Sequence, residues 1–318
     1  MILQQLRSKN LLTCKRWVVD GCQLLTQTGS VAYGVSGSTS DVDIYGFCIP
    51  PKDVVFPYSV GTEILGFGTP GERFDQWQQY HIKPPDREVT YDCTVFGIVR
   101  YFQLCMQCNP NMIDSLFTPR RCILHTTPIG EMVRENRRLF LHKGAWHTFK
   151  GYAFAQMHKI KGKVNASNPE RAETIAKFGY DTKFLYHVVR LLSEIEQIMV
   201  EHDLDLEKNR EQLKAIRRGE WTLEQIERHF EAKEHALEAV YSASTLRHKP
   251  DEPAIKALLI ACLETHFGSL QGAVQQDLSV NRLVRDLEGV IARYKTEDAS
   301  TLFLPDTQIL VDNPETGE

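Results

Sequence analysis

The sequence of 318 residues predicts an α+β fold, in which a small mixed sheet with helices is followed by an all-helical domain. Two observations support this prediction. Apolar residues alternate with period two in 42–49 and 88–95, which is typical of strands. From about residue 126 the apolar residues change to the spacing of amphipathic helices.

The first part of the chain contains the predicted strands. Residues 11–27 lack helix breakers apart from Gly21 and are expected to form an opening helix. Pro50-Pro51 ends the strand at 42–49, because proline cannot donate to a β-ladder. A strand or loop is expected in 54–65, and a long loop in 66–87, which is rich in Gly, Pro and polar residues.

Helices are predicted after the strand at 88–95. A buried helix is expected at 96–108, and Asn109-Pro110 caps a short helix through Leu116. Thr222 and Gln225 form a capping box. The further helices are predicted at 128–141, 145–161, 169–178, 182–202, 209–218, 222–243, 252–268 and near 280–295.

This pattern predicts two domains and a tail. Residues 1–125 are expected to carry the sheet, 126–300 to form a helical domain, and 301–318 to be loosely structured. A chain of this length is sufficient for a sizeable core.

Composition excludes several classes of protein. The net charge of −4 does not indicate a general polyanion binder. No run of about 18 apolar residues predicts a membrane span. No secretory signal is found, and the eight scattered cysteines fit reduced thiols, so we expect a cytoplasmic protein.

Two motif-like patterns have no metal-binding or cofactor role in this interpretation. Cys105 and Cys108 form a single C-x-x-C without a second pair at zinc spacing, so we expect thiols on a helix. Gly66, Gly68 and Gly71 match G-x-G-x-x-G, but Pro70 interrupts the motif and no amphipathic helix follows.

Gly29-Ser30 and Asp41-Val42-Asp43 form the most informative motif. A Gly-Ser pair can open a helix whose free backbone N–H groups face a phosphate. The alternation through Ile44 puts both carboxylates on one face of a strand. Hard oxygen ligands beside a phosphate site suit Mg²⁺ bound together with a nucleoside triphosphate. Either half of the motif alone is common, but the combination indicates metal-assisted nucleotidyl transfer.

The motif, with the Gly- and Ser-rich residues 34–40 between its halves, resembles the signature of the DNA polymerase beta nucleotidyltransferase superfamily. Further segments resemble a predicted nucleotidyltransferase family associated with RNA repair in bacteria and phages. The resemblance runs from about residue 27 to about residue 245. It rests on YDCTVFGIVRYFQLCMQCNPNMIDSLF, FKGYAFAQMHKIKG, FGYDTKFLYHVVRLLSEIEQIM and LKAIRRGEWT.

The resemblance implies a third metal-binding carboxylate on a strand next to the one that carries Asp41 and Asp43. Asp92 is our choice for this ligand. Glu88, four residues earlier and expected on the same side of the strand, is the alternative. All three carboxylates would be both catalytic and metal-binding.

The nucleotide-binding residues are expected in the Gly-Ser segment and in a later helix. Gly29 lets the backbone approach the phosphates, Ser30 can bond a phosphate oxygen, and Tyr33 can position substrate or pack under the loop. Lys183, His187 and Arg190 are spaced i, i+4, i+7 and so share one helix face, which we call the basic stripe. This stripe can hold the triphosphate or a nucleic-acid backbone, or can be a solvated helix face. The basic residues of this helical region are Lys177, Lys183, His187 and Arg190.

Two further basic segments are weaker candidates. Lys159, Lys161 and Lys163 form a cluster that can attract phosphate. Arg217-Arg218-Gly219-Glu220 is interpreted first as the end of a helix at its glycine, with phosphate contact as the minor alternative.

The resemblance implies an enzyme that requires Mg²⁺ or Mn²⁺ and transfers a nucleoside monophosphate from a nucleoside triphosphate. The expected acceptor is an RNA end, such as a tRNA-like end, in a repair pathway. Two alternatives stay open: transfer of AMP to a protein or small molecule, and a catalytically silent module that binds nucleotide or RNA.

Overall fold

A computed structural model of the chain describes residues 1–36, 41–56, 73–162 and 169–270, with 287, 288, 290 and 291. The side chains of 158–162 and 169–171 are outside this description. Met1–Ala273 forms one compact unit and Val274–Glu318 a second.

A five-stranded mixed sheet lies in the N-terminal part of the first unit. Its order is β3-β4-β2-β1-β5. β2 and β4 run parallel, and the other neighbouring pairs are antiparallel. The strands are β1 (Cys22–Gln27), β2 (Val42–Cys48), β3 (Gln76–Ile82), β4 (Tyr91–Gly97) and β5 (Ile123–Thr126).

The two faces of the sheet are covered differently. Helices α1 (Ile2–Ser8) and α2 (Arg16–Asp20) contribute apolar residues to the core under one face, with Ile44 and Cys93. On the other face, Phe47 and Phe96 belong to a larger core that includes most of the later helices. Burying side chains of this size contributes roughly 1.5–3 kcal/mol each.

Several of the later helices begin at an N-cap side chain. Asn109, Thr127, Asp181, Thr222 and Asp251 each accept a backbone N–H at a helix start, as N-cap residues do. The helices are α3 (Lys52–Val55), α4 (Ile98–Met106), α5 (Pro110–Phe117), α6 (Pro128–Glu135), α7 (Ala145–Gly162), α8 (Pro169–Phe178), α9 (Thr182–Glu201), α10 (Arg210–Arg217), α11 (Leu223–Ala243) and α12 (Glu252–Phe267).

The central helix of this part is α9, which is buried over most of its length and packs against α7, α10 and α11. The core on the Phe47 side of the sheet is continuous from Leu24 on β1 to Leu263 on α12. The α+β fold class predicted from the sequence is therefore confirmed. The boundary between residues 125 and 126 stays a prediction.

The opening helix predicted for 11–27 is wrong. Helix α2 covers only Arg16–Asp20, and β1 follows immediately. Leu24 and Leu25 are fully buried on opposite faces of the sheet. A central strand that is buried on both faces shows no alternation, so its apolar run can be mistaken for a helix.

The long loop predicted for 66–87 is wrong where the structure describes it, because β3 lies within it. β3 is an edge strand with exposed glutamines at positions 76 and 78, so it lacks the apolar pattern of a buried strand. The short edge strand β5 is a further element that the sequence pattern does not predict. The predicted helix near 280–295, the tail 301–318 and Gly66, Gly68 and Gly71 lie largely or wholly outside the described residues.

Candidate active site

Asp43 and Asp92 are direct partners in neighbouring parallel strands, β2 and β4. The residues after them, Ile44 and Cys93, belong to the core on the α1 and α2 side of the sheet. Because side chains alternate along a strand, the two carboxylates share the opposite face, toward the later helices. The register therefore brings together two acids that are far apart in sequence.

The electrostatics of Asp43 show how closely these acids interact. Burial and, to a smaller extent, the charges of Asp92 and Asp41 together raise the pKa of Asp43 to about 6. Lys183 acts in the opposite direction. A half-buried carboxyl among like charges favours either a proton or a cation. This arrangement suits a metal ion.

Asp41 lies at the exposed start of β2, next to residues 37–40, which are outside the description. Among the described residues, no three His, Cys, Asp or Glu side chains form a preassembled metal cluster. Mg²⁺ commonly uses only one or two protein carboxylates and takes its remaining ligands from substrate phosphates and water. The paired carboxylates of Asp43 and Asp92 therefore fit an ion that takes its remaining ligands from a nucleotide, and Asp41 precedes them in the chain just before β2.

Gly29 touches the carboxylate of Asp43. Its φ is +68°, and a Cβ at this position would lie 2.5 Å from Asp43 Oδ2. The preceding Thr28 donates its backbone N–H to the carbonyl of Asp43 at 2.9 Å. Only glycine meets both requirements, the left-handed φ and the missing Cβ. Gly29 of the Gly-Ser pair therefore lies directly beside Asp43.

Ser30 follows Gly29 in a three-residue 3₁₀ turn, Gly29–Val31, and not at the start of an α-helix. The expectation that Gly29-Ser30 opens a helix is wrong in this respect. The N–H of Ala32 closes this turn by donating to the carbonyl of Gly29, and the N–H of Val35 donates to the carbonyl of Ser30 at 2.9 Å. Ser30 is partly exposed. It lies close to the carboxylates because its neighbour Gly29 contacts Asp43.

Asp92 has a backbone partner that the sequence does not indicate. The N–H of His81 on β3 donates to Asp92 Oδ1 at 2.7 Å. The alternative ligand Glu88 is exposed and precedes β4, so it has no place in the strand register with Asp43. Sequence reasoning misses His81 because β3 lacks a strand pattern.

The basic residues near α9 differ in how they relate to the carboxylates. Lys183 is exposed in the first turn of α9, where the Asp181 side chain accepts its backbone N–H at 2.8 Å. Its charge acts on Asp43. His187 is half-buried, with its ring 4.2 Å from that of Tyr186. Lys177 is exposed on α8 and lies over Phe178.

Arg190 does not lie on an exposed stripe with Lys183, as the helical spacing predicted. Arg190 is only 5% exposed and donates from Nη1 to Asp114 and to Glu194, each at 2.7 Å. The hydroxyl of Tyr33 donates to the same Asp114 oxygen at 2.6 Å, and the guanidinium lies 4.4 Å from the centre of its ring. Tyr33 and Arg190 thus belong to a buried network, which we call the Arg190 network (Tyr33, Asp114, Arg190, Glu194).

The remaining candidates are structural or undescribed. Gly219, with φ +77°, follows the end of α10 as expected, and the Arg217 guanidinium donates to the carbonyl of Val35. Cys105 and Cys108 are buried free thiols whose pKa values are raised by burial. The side chains of Lys159, Lys161 and Lys163 lie outside the described residues.

The mixed sheet, the paired carboxylates and the adjoining glycine turn define a protein of the DNA polymerase beta type. The sequence model of RlaP, the RNA repair pathway DNA polymerase beta family, matches residues 21–261, and the chain belongs to this family. The family predicted from the sequence motifs is therefore confirmed. Membership supports nucleotidyl transfer as the general type of reaction.

The matched range includes all five strands and ends within α12. A comparison with curated proteins gives no match to this chain. No helix in the described part of the chain has the length and apolar character needed to cross a membrane.

Proposed function

We propose that this protein is a metal-dependent nucleotidyltransferase that moves a nucleoside monophosphate from a nucleoside triphosphate to a hydroxyl of an RNA end. The observation that carries this proposal is the pairing of Asp43 with Asp92, with Gly29 in contact with Asp43. The RNA repair assignment of the family supports RNA as the acceptor, and a tRNA-like end is part of this proposal.

Asp41, Asp43 and Asp92 would hold Mg²⁺ or Mn²⁺ in this proposal. The raised pKa of Asp43 supports it, because a bound cation would offset both the burial of this carboxyl and the repulsion among these acids. When bound, such an ion activates the attacking hydroxyl and stabilises the leaving pyrophosphate.

The other residues would bind and orient the nucleotide. Lys183 carries a positive charge near the carboxylates and can balance part of the charge of the triphosphate. Gly29 leaves room for the Asp43 carboxylate beside the backbone, and the adjoining Ser30 hydroxyl can donate to a phosphate oxygen of the nucleotide. The N–H of His81 holds one oxygen of Asp92, which orients that carboxylate.

The test is a label-transfer assay. Each α-³²P-labelled nucleoside triphosphate is offered with Mg²⁺ or Mn²⁺ to a pool of tRNA and to synthetic RNA ends. We expect label in RNA with the wild-type protein. Asp43→Asn should lower the rate of label transfer about 10²-fold or more, because it removes a carboxylate from the reacting centre. Asp86→Asn is the matched control, since Asp86 is exposed and pairs with Lys9.

The assay separates the proposed reaction from its alternatives. Label on protein or small molecules instead of RNA would favour AMP transfer to those acceptors. Binding of nucleotide without transfer would favour a silent binding module. Equal transfer by wild type and Asp43→Asn would contradict the role of the carboxylates.

A further inference from the structure

The edge strand β3 changes its register next to Asp92. Gln79 pairs with Cys93 and Ile82 pairs with Tyr91, so two residues of β3, Tyr80 and His81, oppose the single residue Asp92. We call this irregularity the β3 bulge (Tyr80 and His81). Bulges redirect side chains and are frequent beside active sites.

The β3 bulge has a strained backbone. His81 has a φ of +56°, which is uncommon for a residue other than glycine. The same residue donates its N–H to Asp92. A conformation of this kind is unfavourable and persists where the surrounding structure imposes it. The strain thus accompanies a direct contact with a candidate catalytic carboxylate.

Two exposed tyrosines act electrostatically on Tyr45, which follows Asp43 by two residues on β2 and so shares its face of the sheet. Tyr80 on β3 is 51% exposed, and Tyr152 on α7 is 39% exposed. Both lie close enough to Tyr45 on β2 that they, after burial as the main cause, contribute to raising its pKa to about 12. The Tyr45 ring stacks on that of Phe96 with an interplanar angle of 13°. We call Tyr45, Tyr80 and Tyr152 the tyrosine surface.

The order of the strands separates Tyr80 from the glycine turn. Across the sheet, Gly29 follows β1 and lies on one side of Asp43, whereas β4 and then β3 lie on the other. An in-line displacement needs the attacking and leaving oxygens on opposite sides of the reacting phosphorus. If the triphosphate lies against the Gly29 turn, the acceptor hydroxyl must approach from the side of Asp92 and β3.

From this arrangement we infer that the tyrosine surface binds the terminal nucleobase of the single-stranded RNA acceptor by stacking, with Tyr80 as its main contact. The inference rests on the proposed function, since it assigns the acceptor to the carboxylate site. Stacking suits this position, because the acids beside it repel the RNA backbone while every base has an apolar face.

The experiment measures binding without the reaction. Fluorescence anisotropy of a labelled single-stranded RNA with a free 3′-hydroxyl gives its Kd for wild type, Tyr80→Ala, Tyr80→Phe and Gln76→Ala. Calorimetry gives the Kd for ATP with Mg²⁺ on the same proteins. Gln76 is the matched control, because it is exposed on the same strand but pairs with Phe96 and does not lie opposite Asp92.

We expect Tyr80→Ala to weaken RNA binding about tenfold and to leave ATP binding unchanged, in keeping with the contribution of one stacked base. Tyr80→Phe and Gln76→Ala should stay within about twofold of wild type. Weaker binding of ATP with unchanged binding of RNA would overturn the inference and assign Tyr80 to the incoming nucleotide. Unchanged binding of both ligands would also overturn it.

The outcome can be separated from that of the proposed function. Binding of RNA that depends on Tyr80, in a protein that transfers no label, would keep the inference and remove the proposed reaction. Label transfer to RNA with the same KM for RNA in wild type and Tyr80→Ala would do the reverse. A wild-type protein that binds no RNA would contradict both.

Discussion

Two groups of charged residues near the glycine turn differ in how their charges are compensated. Asp43 and Asp92 are adjacent carboxylates on a partly exposed face of the sheet, where burial and like charges raise the pKa of Asp43 to about 6. In the Arg190 network, a buried guanidinium lies between Asp114 and Glu194. The first group has near it the charge of Lys183 and the imidazole of His81, whose Nδ1 lies 3.9 Å from Asp92 Oδ1, whereas the second contains a guanidinium bonded to both of its acids.

This difference distinguishes a site for a ligand from a link between parts of the fold. An uncompensated cluster can gain free energy when a metal or substrate binds. A charge-paired cluster gains nothing from a further cation, and removing one member leaves a buried charge. The Arg190 network connects Tyr33, four residues after Gly29, with α5 and α9. It therefore fixes the glycine turn against the helices.

The largest effect is expected from Arg190→Ala. This change leaves Asp114 and Glu194 without their cation, so we expect a loss of roughly 3–5 kcal/mol in the free energy of unfolding. Urea denaturation measures it. Arg16→Ala, which breaks an exposed pair with Asp20, should cost less than about 0.5 kcal/mol. Wild-type stability with weakened nucleotide binding would return Arg190 to the substrate site.

Gly29→Ala tests the contact between the turn and the carboxylate. We expect a loss of about 1–3 kcal/mol in stability, with nucleotidyl transfer strongly reduced, because the new Cβ meets Asp43 Oδ2. Gly179→Ala is the matched control, since Gly179 also has a positive φ but an added Cβ there would meet no atom within 4 Å. It should lose stability only. Equal activity in both variants would argue against a role for the Gly29 contact.

Lys183→Ala separates the two lysines of the predicted basic helical region. Removing the cation that acts on Asp43 should raise the KM for the nucleoside triphosphate about tenfold, corresponding to ~1.4 kcal/mol. Lys177→Ala, on α8, should change it by less than about twofold. Equal KM values for the nucleoside triphosphate in the two variants would contradict a role in binding for the proximity of Lys183 to Asp43.

The smallest effect concerns the pH dependence of stability without metal. Folding raises the pKa of Asp43 from 3.8 to about 6, so the folded state holds its proton more tightly than the unfolded state. Asp43 therefore lowers stability progressively as pH rises from about 4 to about 6, and the penalty stays constant above that range. We expect Asp43→Asn to be more stable than wild type by ~1 kcal/mol at pH 8 in EDTA, allowing for partial exposure.

The measurement is thermal unfolding of both proteins at pH 4 and pH 8. The difference should largely vanish at pH 4, where Asp43 is mostly protonated in the folded state. Mg²⁺ should stabilise wild type at pH 8 and have less effect on Asp43→Asn. A stability difference that is independent of pH would contradict the raised pKa.

Local patterns predict much of the fold. Capping pairs such as Asn109-Pro110 and Thr222 with Gln225 define helix starts within a few residues, and the structure has them. Strand β1 and edge strand β3 escape prediction for opposite reasons. The first is buried on both faces and the second is largely polar, so neither shows the alternation that identifies a half-buried strand.

The candidate site is only partly predictable for a related reason. The motif acids Asp41 and Asp43 are close in sequence, and their position relative to each other follows from strand geometry. His81 reaches Asp92 only through the β3 bulge. Helical spacing relates Lys183 to Arg190 along α9, but it cannot tell an exposed position from a buried one.

The sequence by itself determined the family of this protein, its α+β class and the pair of motif acids beside a glycine turn, because these depend on residues that are near one another in the chain. The tertiary structure decided that Asp92 is the strand partner of Asp43 and that Arg190 is buried against Asp114. Both outcomes depend on the register and packing of distant segments, which are set by the free energy of the whole fold and not by any local pattern.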